Sequence, residues 1–153
     1  MQPRILRLQN LLGHDLFDSI LWGHEYELQG MDPRLQARIQ AKHFDRIVFY
    51  GMGCSSVVSD VVKGFFKAEK IPLRVDVVND YEVEWFIDEE VLRSDKTLVI
   101  IVCYSGWSVE PCLFYDRMNE LTGCKNLMVL SGGGKIAQMC ERDDGIKPPV
   151  TPG

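Results

Sequence analysis

The sequence predicts a doubly wound α/β fold, a three-layer α/β/α sandwich with a mostly parallel sheet of four or five strands, preceded by two helices. Short apolar runs, typical of strands buried on both faces, alternate with segments of helical periodicity. Glycine- and serine-rich turns stand between three of the runs and the helices that follow them. Such alternation implies right-handed crossovers with helices on both faces of the sheet. A chain of 153 residues has room for one such domain.

The first 44 residues are predicted to form two helices that pack on the domain. In the first helix, apolar residues recur every four positions, at Leu8, Leu12, Leu16 and Ile20. Asp32-Pro33 then has the composition of a helix N-terminus, with proline at the first helical position. Residues 45–150 are predicted to form the α/β domain itself, so that the chain is a single domain overall.

Strands and helices then alternate along the chain. The predicted strands are apolar and rich in β-branched residues: Ile47–Tyr50, Leu73–Val78, Thr97–Cys103 and Leu127–Leu130. The predicted helices begin near Ser55, Val109 and Lys135. Residues 85–92 are expected to be a short helix or an irregular crossover, and Val150 is a candidate start of a fifth strand.

Composition and charge limit the class of protein. A net charge of -5 gives no reason to expect nucleic acid or an anionic membrane as a partner. The chain has no apolar run of transmembrane length and no signal-peptide core at its N-terminus. Its five cysteines are odd in number and form no C-x-x-C pair, so we expect reduced, mostly buried thiols. We therefore predict a cytoplasmic protein without a bound metal or cofactor.

Three strand exits share one composition: GMGCSS at residues 51–56, YSGWS at 104–108 and SGGGK at 131–135. Ligands of parallel sheets bind beyond the carboxyl ends of the strands, and helix N-termini there attract anions. A single serine at a helix start is often only a cap. Because three loops agree, we predict an anion site. Its expected residues are Gly53, Ser55, Ser56, Ser105, Gly106, Ser108 and Lys135.

One alternative is a dinucleotide-binding domain. The segment GMGCSS resembles the fingerprint G-x-G-x-x-G, although Ser56 stands at its third glycine. Asp76 or Asp80 could serve as the acidic residue that such a domain places after its second strand. This alternative stays open at the level of the sequence.

Four motifs in order carry a resemblance to a known family. Residues 51–60 read GMGCSSVVSD, residues 80–82 read DYE, residues 103–110 read CYSGWSVE, and residues 133–138 read GGKIAQ. The corresponding family motifs are GMGGSAIGGD, DYE, SYSGNTEE and SGGKLAE. Over roughly residues 44–150 the chain therefore resembles the sugar isomerase (SIS) domain, most closely the N-terminal half of bifunctional phosphoglucose/phosphomannose isomerases. Cys103 and Trp107 depart from the family pattern, since serine and asparagine are usual there.

The resemblance implies a sugar-phosphate-binding domain of an aldose–ketose isomerase, acting as a homodimer. A non-catalytic sensor of phosphosugars is the second implied function. The catalytic glutamate and histidine of the family are expected beyond residue 153, so no position here inherits those roles. Glu82, Glu84 and Glu110 are the local candidates for a base, and each is more simply explained as a solvated carboxylate.

Overall fold

The structure, a computed structural model, describes residues 37, 38, 41 and 43–143. The helices predicted before residue 37 and the strand predicted at Val150 lie outside the described residues. The strands of the described part are β1 (Arg46–Tyr50), β2 (Arg74–Val78), β3 (Thr97–Cys103) and β4 (Leu127–Ser131). The helices are α1 (Cys54–Ala68), α2 (Glu89–Arg93), α3 (Val109–Thr122) and α4 (Gly134–Arg142).

The four strands form one sheet in the order β2-β1-β3-β4, and all neighbouring pairs are parallel. The predicted α/β class is therefore confirmed. The predicted crossover at residues 85–92 is a 3-10 turn at Val83–Trp85 followed by the five-residue helix α2. The order of strands reverses between β1 and β3, because β1 connects to β2 on one side and β3 connects to β4 on the other.

Both faces of the sheet are covered, which explains why the strands read as unbroken apolar runs. On one face, Tyr50 and Ile101 are buried in a large core with residues of α2, α3 and α4. On the other face, Phe49 and Ile100 belong to a smaller core against which Val62 of α1 packs. Helix α1 and helix α3 therefore lie on opposite faces of the sheet.

Four of the five cysteines are buried, as the sequence predicts, and Cys54 is exposed. Burial raises the pKa of Cys140 to about 12 and also raises the pKa of Cys112 and of Cys124. These three side chains consequently remain protonated thiols at neutral pH and act as small apolar groups. No helix in the described part of the chain is both long and apolar enough to cross a membrane.

The loops after β3 and β4 are in direct backbone contact. Gly106, buried and with a φ of 70°, is so close to the next loop that a Cβ atom there would lie 1.7 Å from the Gly133 carbonyl oxygen. A Cβ on Gly134 would lie 2.7 Å from the carbonyl oxygens of Ser105 and Gly106. Two hydrogen bonds join the same loops, from the Gly132 amide to the Tyr104 carbonyl and from the Ile136 amide to the Gly106 carbonyl.

We expect Gly106→Ala to destabilise the domain by at least about 2 kcal/mol, because the new methyl group meets backbone atoms and the positive φ is strained. Gly64→Ala is the matched control. Gly64 lies inside α1 with open space around its Cα, so alanine there should stabilise by about 0.5–1 kcal/mol. Urea unfolding of both variants measures the difference, and equal stabilities would contradict the described contact.

Candidate functional site

The three predicted loops lie side by side at the carboxyl edge of the sheet. Strand β3 pairs with both β1 and β4, so the loops that leave these strands are neighbours. The first two loops flank the point where strand order reverses, and they continue into helices on opposite faces. In doubly wound folds a crevice opens at this point, and it is the usual place for a ligand.

The loop after β1 begins α1 with Gly53, whose φ of 56° places it in the left-handed region. The two candidate serines here differ in role. Ser56 is buried, and its hydroxyl donates a hydrogen bond of 2.8 Å to the Gly53 carbonyl oxygen. Ser55 is only half-buried. Ser56 therefore holds the turn together, and Ser55 is the serine of this loop that reaches the surface.

The loop after β3 presents two further serines. Ser105 is exposed, and its Oγ accepts a hydrogen bond of 3.3 Å from the Trp107 amide. Ser108 occupies the N-cap position of α3, but its side chain makes no capping hydrogen bond. Capping therefore does not explain Ser108, and in both residues the hydroxyl hydrogen is not used in a hydrogen bond that shapes the loop.

The loop after β4 carries Lys135, exposed in the first turn of α4. Ser131, which the sequence did not single out, shapes this loop. Its hydroxyl donates to the Gly133 carbonyl oxygen at 2.8 Å and accepts from the Gly133 amide at 3.3 Å. A serine at the end of a buried strand, directly before three glycines, was the signal in the sequence for this role.

The electrostatics of the three helix N-termini differ. The first turns of α1 and α4 contain no acidic residue, whereas the first turn of α3 contains Glu110. Glu110 interacts with the phenol of Tyr81, and a hydrogen bond to its carboxylate, together with its charge, raises the pKa of Tyr81. The positive ends of α1 and α4 are therefore the ones open to an anion, and Glu110 links α3 to the loop after β2.

The local candidates for a base are not gathered at one point. Glu82 is exposed and precedes the 3-10 turn, and the side chain of Glu84 lies outside the described residues. Glu110 is half-buried beside Tyr81. Within residues 43–143, no three His, Cys, Asp or Glu side chains are grouped as metal ligands would be. The described residues therefore do not bring these three carboxylates together as one catalytic group.

Two clefts of about 710 and 870 Å³ lie at the opposite, amino edge of the sheet. In the first, the Arg38 guanidinium donates to the carbonyl oxygens of Lys125 and Asp95, and His43 contacts Asp95. In the second, Arg46 is paired with Asp76 at 2.7 Å. Arg38 and Arg46 are therefore engaged within the chain, and none of the predicted site residues lines either cleft.

Two curated relatives resemble the chain in sequence. A D-glucosamine-6-phosphate 4-epimerase of Sulfolobus acidocaldarius is 29% identical over 100 residues, which are 65% of this chain and 28% of the relative. A bifunctional phosphoglucose/phosphomannose isomerase of Pyrobaculum calidifontis is 28% identical over 131 residues, 81% of this chain and 39% of the relative. The chain thus spans well under half the length of either protein. No family model matches it.

Solved structures show the same fold. A Silicibacter pomeroyi protein assigned to the phosphosugar isomerases matches with a TM-score of 0.56 and 13% identity, over 96% of this chain and 41% of its own. The tagatose-6-phosphate ketose/aldose isomerase of Escherichia coli matches with a TM-score of 0.50 and 14% identity, over 89% of this chain and 40% of its own. The chain therefore has the SIS fold, the α/β fold of phosphosugar isomerases, and the resemblance seen in the sequence is confirmed at that level.

We expect Ser105→Ala and Ser108→Ala each to weaken the binding of inorganic phosphate roughly 10- to 100-fold, because each removes a hydrogen bond to a charged group. Ser94→Ala is the matched control. Ser94 precedes β3 at the amino edge of the sheet, where its Oγ accepts a hydrogen bond of 3.2 Å from the Lys96 amide, so its loss should leave phosphate affinity unchanged. Titration followed by NMR measures all three. Unchanged affinity in both Ser105→Ala and Ser108→Ala would contradict a ligand role for these residues.

Proposed function

We propose that the chain is the sugar-phosphate-binding domain of an aldose–ketose isomerase of the phosphoglucose/phosphomannose type. The observation that carries the proposal is the meeting of three serine- and glycine-rich loops at one edge of the sheet. Gly53, Ser55, Ser105 and Ser108 hold the phosphate, and Lys135 adds a positive charge. Gly106, whose amide donates to the Cys103 carbonyl, fixes the loop that carries the last two serines. Ser56 supports the first of these loops from beneath.

Neutral donors are sufficient for this task. A phosphate oxygen accepts hydrogen bonds from hydroxyl groups and from backbone amides at a helix N-terminus. The first turns of α1 and α4 contain no carboxylate that would repel it, and Glu110 in the first turn of α3 is hydrogen-bonded to the Tyr81 phenol. The arrangement therefore suits a phosphate ester and requires no arginine.

The relatives support a sugar as the rest of the ligand. Both are named for phosphorylated hexoses. One is named for glucosamine 6-phosphate and is 29% identical to this chain, and the other is named for phosphoglucose and phosphomannose and is 28% identical. The four motifs quoted above point in the same direction. We propose that the bound sugar is a hexose phosphate of the glucose or mannose type. We also propose a cytoplasmic location.

The dinucleotide alternative has less support. Asp76, one of the two candidate acids for a ribose, forms an ion pair with Arg46 at 2.7 Å. The other, Asp80, accepts a hydrogen bond of 2.7 Å from the Tyr81 amide through its side chain. Both carboxylates therefore already have a partner within the chain. A dinucleotide-binding domain also has no need of the serine-rich loop after β3.

The 153-residue chain should bind sugar phosphates but isomerise them only slowly. We expect glucose 6-phosphate and fructose 6-phosphate to stabilise it, by about 2.7 kcal/mol at a concentration 100 times the dissociation constant, and NAD to have no such effect. Isomerisation should be far slower than in known sugar-phosphate isomerases, because binding without a positioned base accelerates proton transfer little. Thermal unfolding measures the first effect, and a coupled assay of fructose 6-phosphate formation measures the second.

Three outcomes distinguish the proposals. Stabilisation by NAD without stabilisation by sugar phosphates would replace this function with dinucleotide binding. Rapid turnover by this chain alone would show that a base is present, and Glu110→Gln and Glu82→Gln would then identify it. Tight binding with no turnover, even alongside any downstream half, would favour the phosphosugar sensor.

We also propose that the chain forms a homodimer. The outer face of α1 exposes four apolar side chains at helical spacing, Val57, Val58, Val61 and Phe65. A contiguous apolar surface of this kind is typical of an interaction site.

Sedimentation equilibrium should therefore give twice the chain mass of 17.5 kDa. Val61→Glu should shift the protein to the monomer, because a carboxylate in an apolar contact must lose its hydration. Lys63→Glu, an exposed position on the same helix but away from this face, should leave the mass unchanged. A monomer in the unmodified chain at micromolar concentration would contradict the proposal.

A further inference from the structure

Within the described part of the chain, two large aromatic side chains beside the candidate phosphate loops are mostly exposed. Trp107 is 65% exposed and Tyr104 is 83% exposed. They bracket Ser105 and Gly106 in the loop after β3, and Trp107 is followed directly by Ser108. An exposed tryptophan keeps a large apolar surface in water, so its presence at a ligand-binding edge needs an explanation.

The position of Trp107 is well defined by the backbone around it. The Trp107 amide donates to Ser105 Oγ at 3.3 Å, and the preceding Gly106 is locked against the loop after β4 by its contact with Gly133. On the other side, Ser108 is the N-cap residue of helix α3. The indole is thus carried by a fixed segment, which lowers the entropy lost when a ligand contacts it.

The chemistry of the neighbourhood indicates what such a ring can contact. The serine hydroxyl groups and amides on either side suit the phosphate, and the broad apolar face of an indole suits the carbon-bound hydrogens of a sugar ring. A cyclic sugar presents such a flat apolar face, and an open-chain sugar does not. Burying that face against the indole removes apolar surface from water.

We infer that Trp107 is a specificity-determining residue of this site, whose indole stacks on the ring of a cyclic sugar phosphate and selects it over an open-chain one. The inference rests on the proposed function, because it takes the phosphate to be held by Ser105 and Ser108. Trp107 acts on the choice of ligand and has no part in holding the phosphate itself.

Calorimetric titration with three probes tests the inference: inorganic phosphate, glucose 6-phosphate and the acyclic glucitol 6-phosphate. In the unmodified chain, glucose 6-phosphate should bind roughly ten-fold tighter than glucitol 6-phosphate, which corresponds to about 1.4 kcal/mol. Trp107→Ala should abolish that preference and leave the affinity for inorganic phosphate unchanged. Trp107→Phe keeps an aromatic face and should retain most of the preference.

Ile71→Ala is the matched control, because Ile71 is also an exposed apolar residue but lies between α1 and β2, at the amino edge of the sheet. It should leave all three affinities unchanged.

Equal loss of all three affinities in Trp107→Ala, or no change in the preference, would overturn the role of Trp107. Phosphate binding without a preference for the cyclic sugar would overturn it too and leave the phosphate site standing. Failure of every probe to bind would remove the proposed function and, with it, this inference.

Discussion

The loops after β3 and β4 touch at Gly106 and Gly133, and the geometry of the candidate site depends on that contact. No side chain fits at Gly106, since a Cβ atom would lie 1.7 Å from a carbonyl oxygen. The Ile136 amide also donates to the Gly106 carbonyl, so the first turn of α4 is joined to the loop before α3. Two helix N-termini are therefore held in a fixed relation, and the serines between them cannot move independently.

This constraint divides the serines of the edge into two groups. Ser56 and Ser131 are buried, and their hydroxyl groups donate to the carbonyl oxygens of Gly53 and Gly133. They shape the turns in which glycine takes a positive φ. Ser105 and Ser108 lie nearer the surface, and neither hydroxyl caps a helix in the way that serines at such positions often do. Serines at this edge therefore differ in their surroundings, two buried within their turns and two nearer the surface.

An anion site of this kind is compatible with an acidic chain. The net charge is -5, yet hydroxyl groups, amides and helix dipoles act only over a few ångströms and do not alter the total charge. Glu110, in the first turn of α3, is engaged with the phenol of Tyr81. Local arrangement therefore decides what this edge attracts.

The sequence by itself determined the order of strands and helices, the parallel sheet and the positions of the three loops, because these follow from local periodicity and from the handedness of crossovers. Strand β3 matches its predicted bounds, and β2 begins one residue later than predicted. The structure also showed that the hydroxyl groups of Ser56 and Ser131 donate within their own turns. Only the tertiary structure decided why Gly106 must be glycine and that Tyr81 meets Glu110. Those two facts depend on contacts between residues 20 to 30 positions apart, whose distances no local pattern encodes.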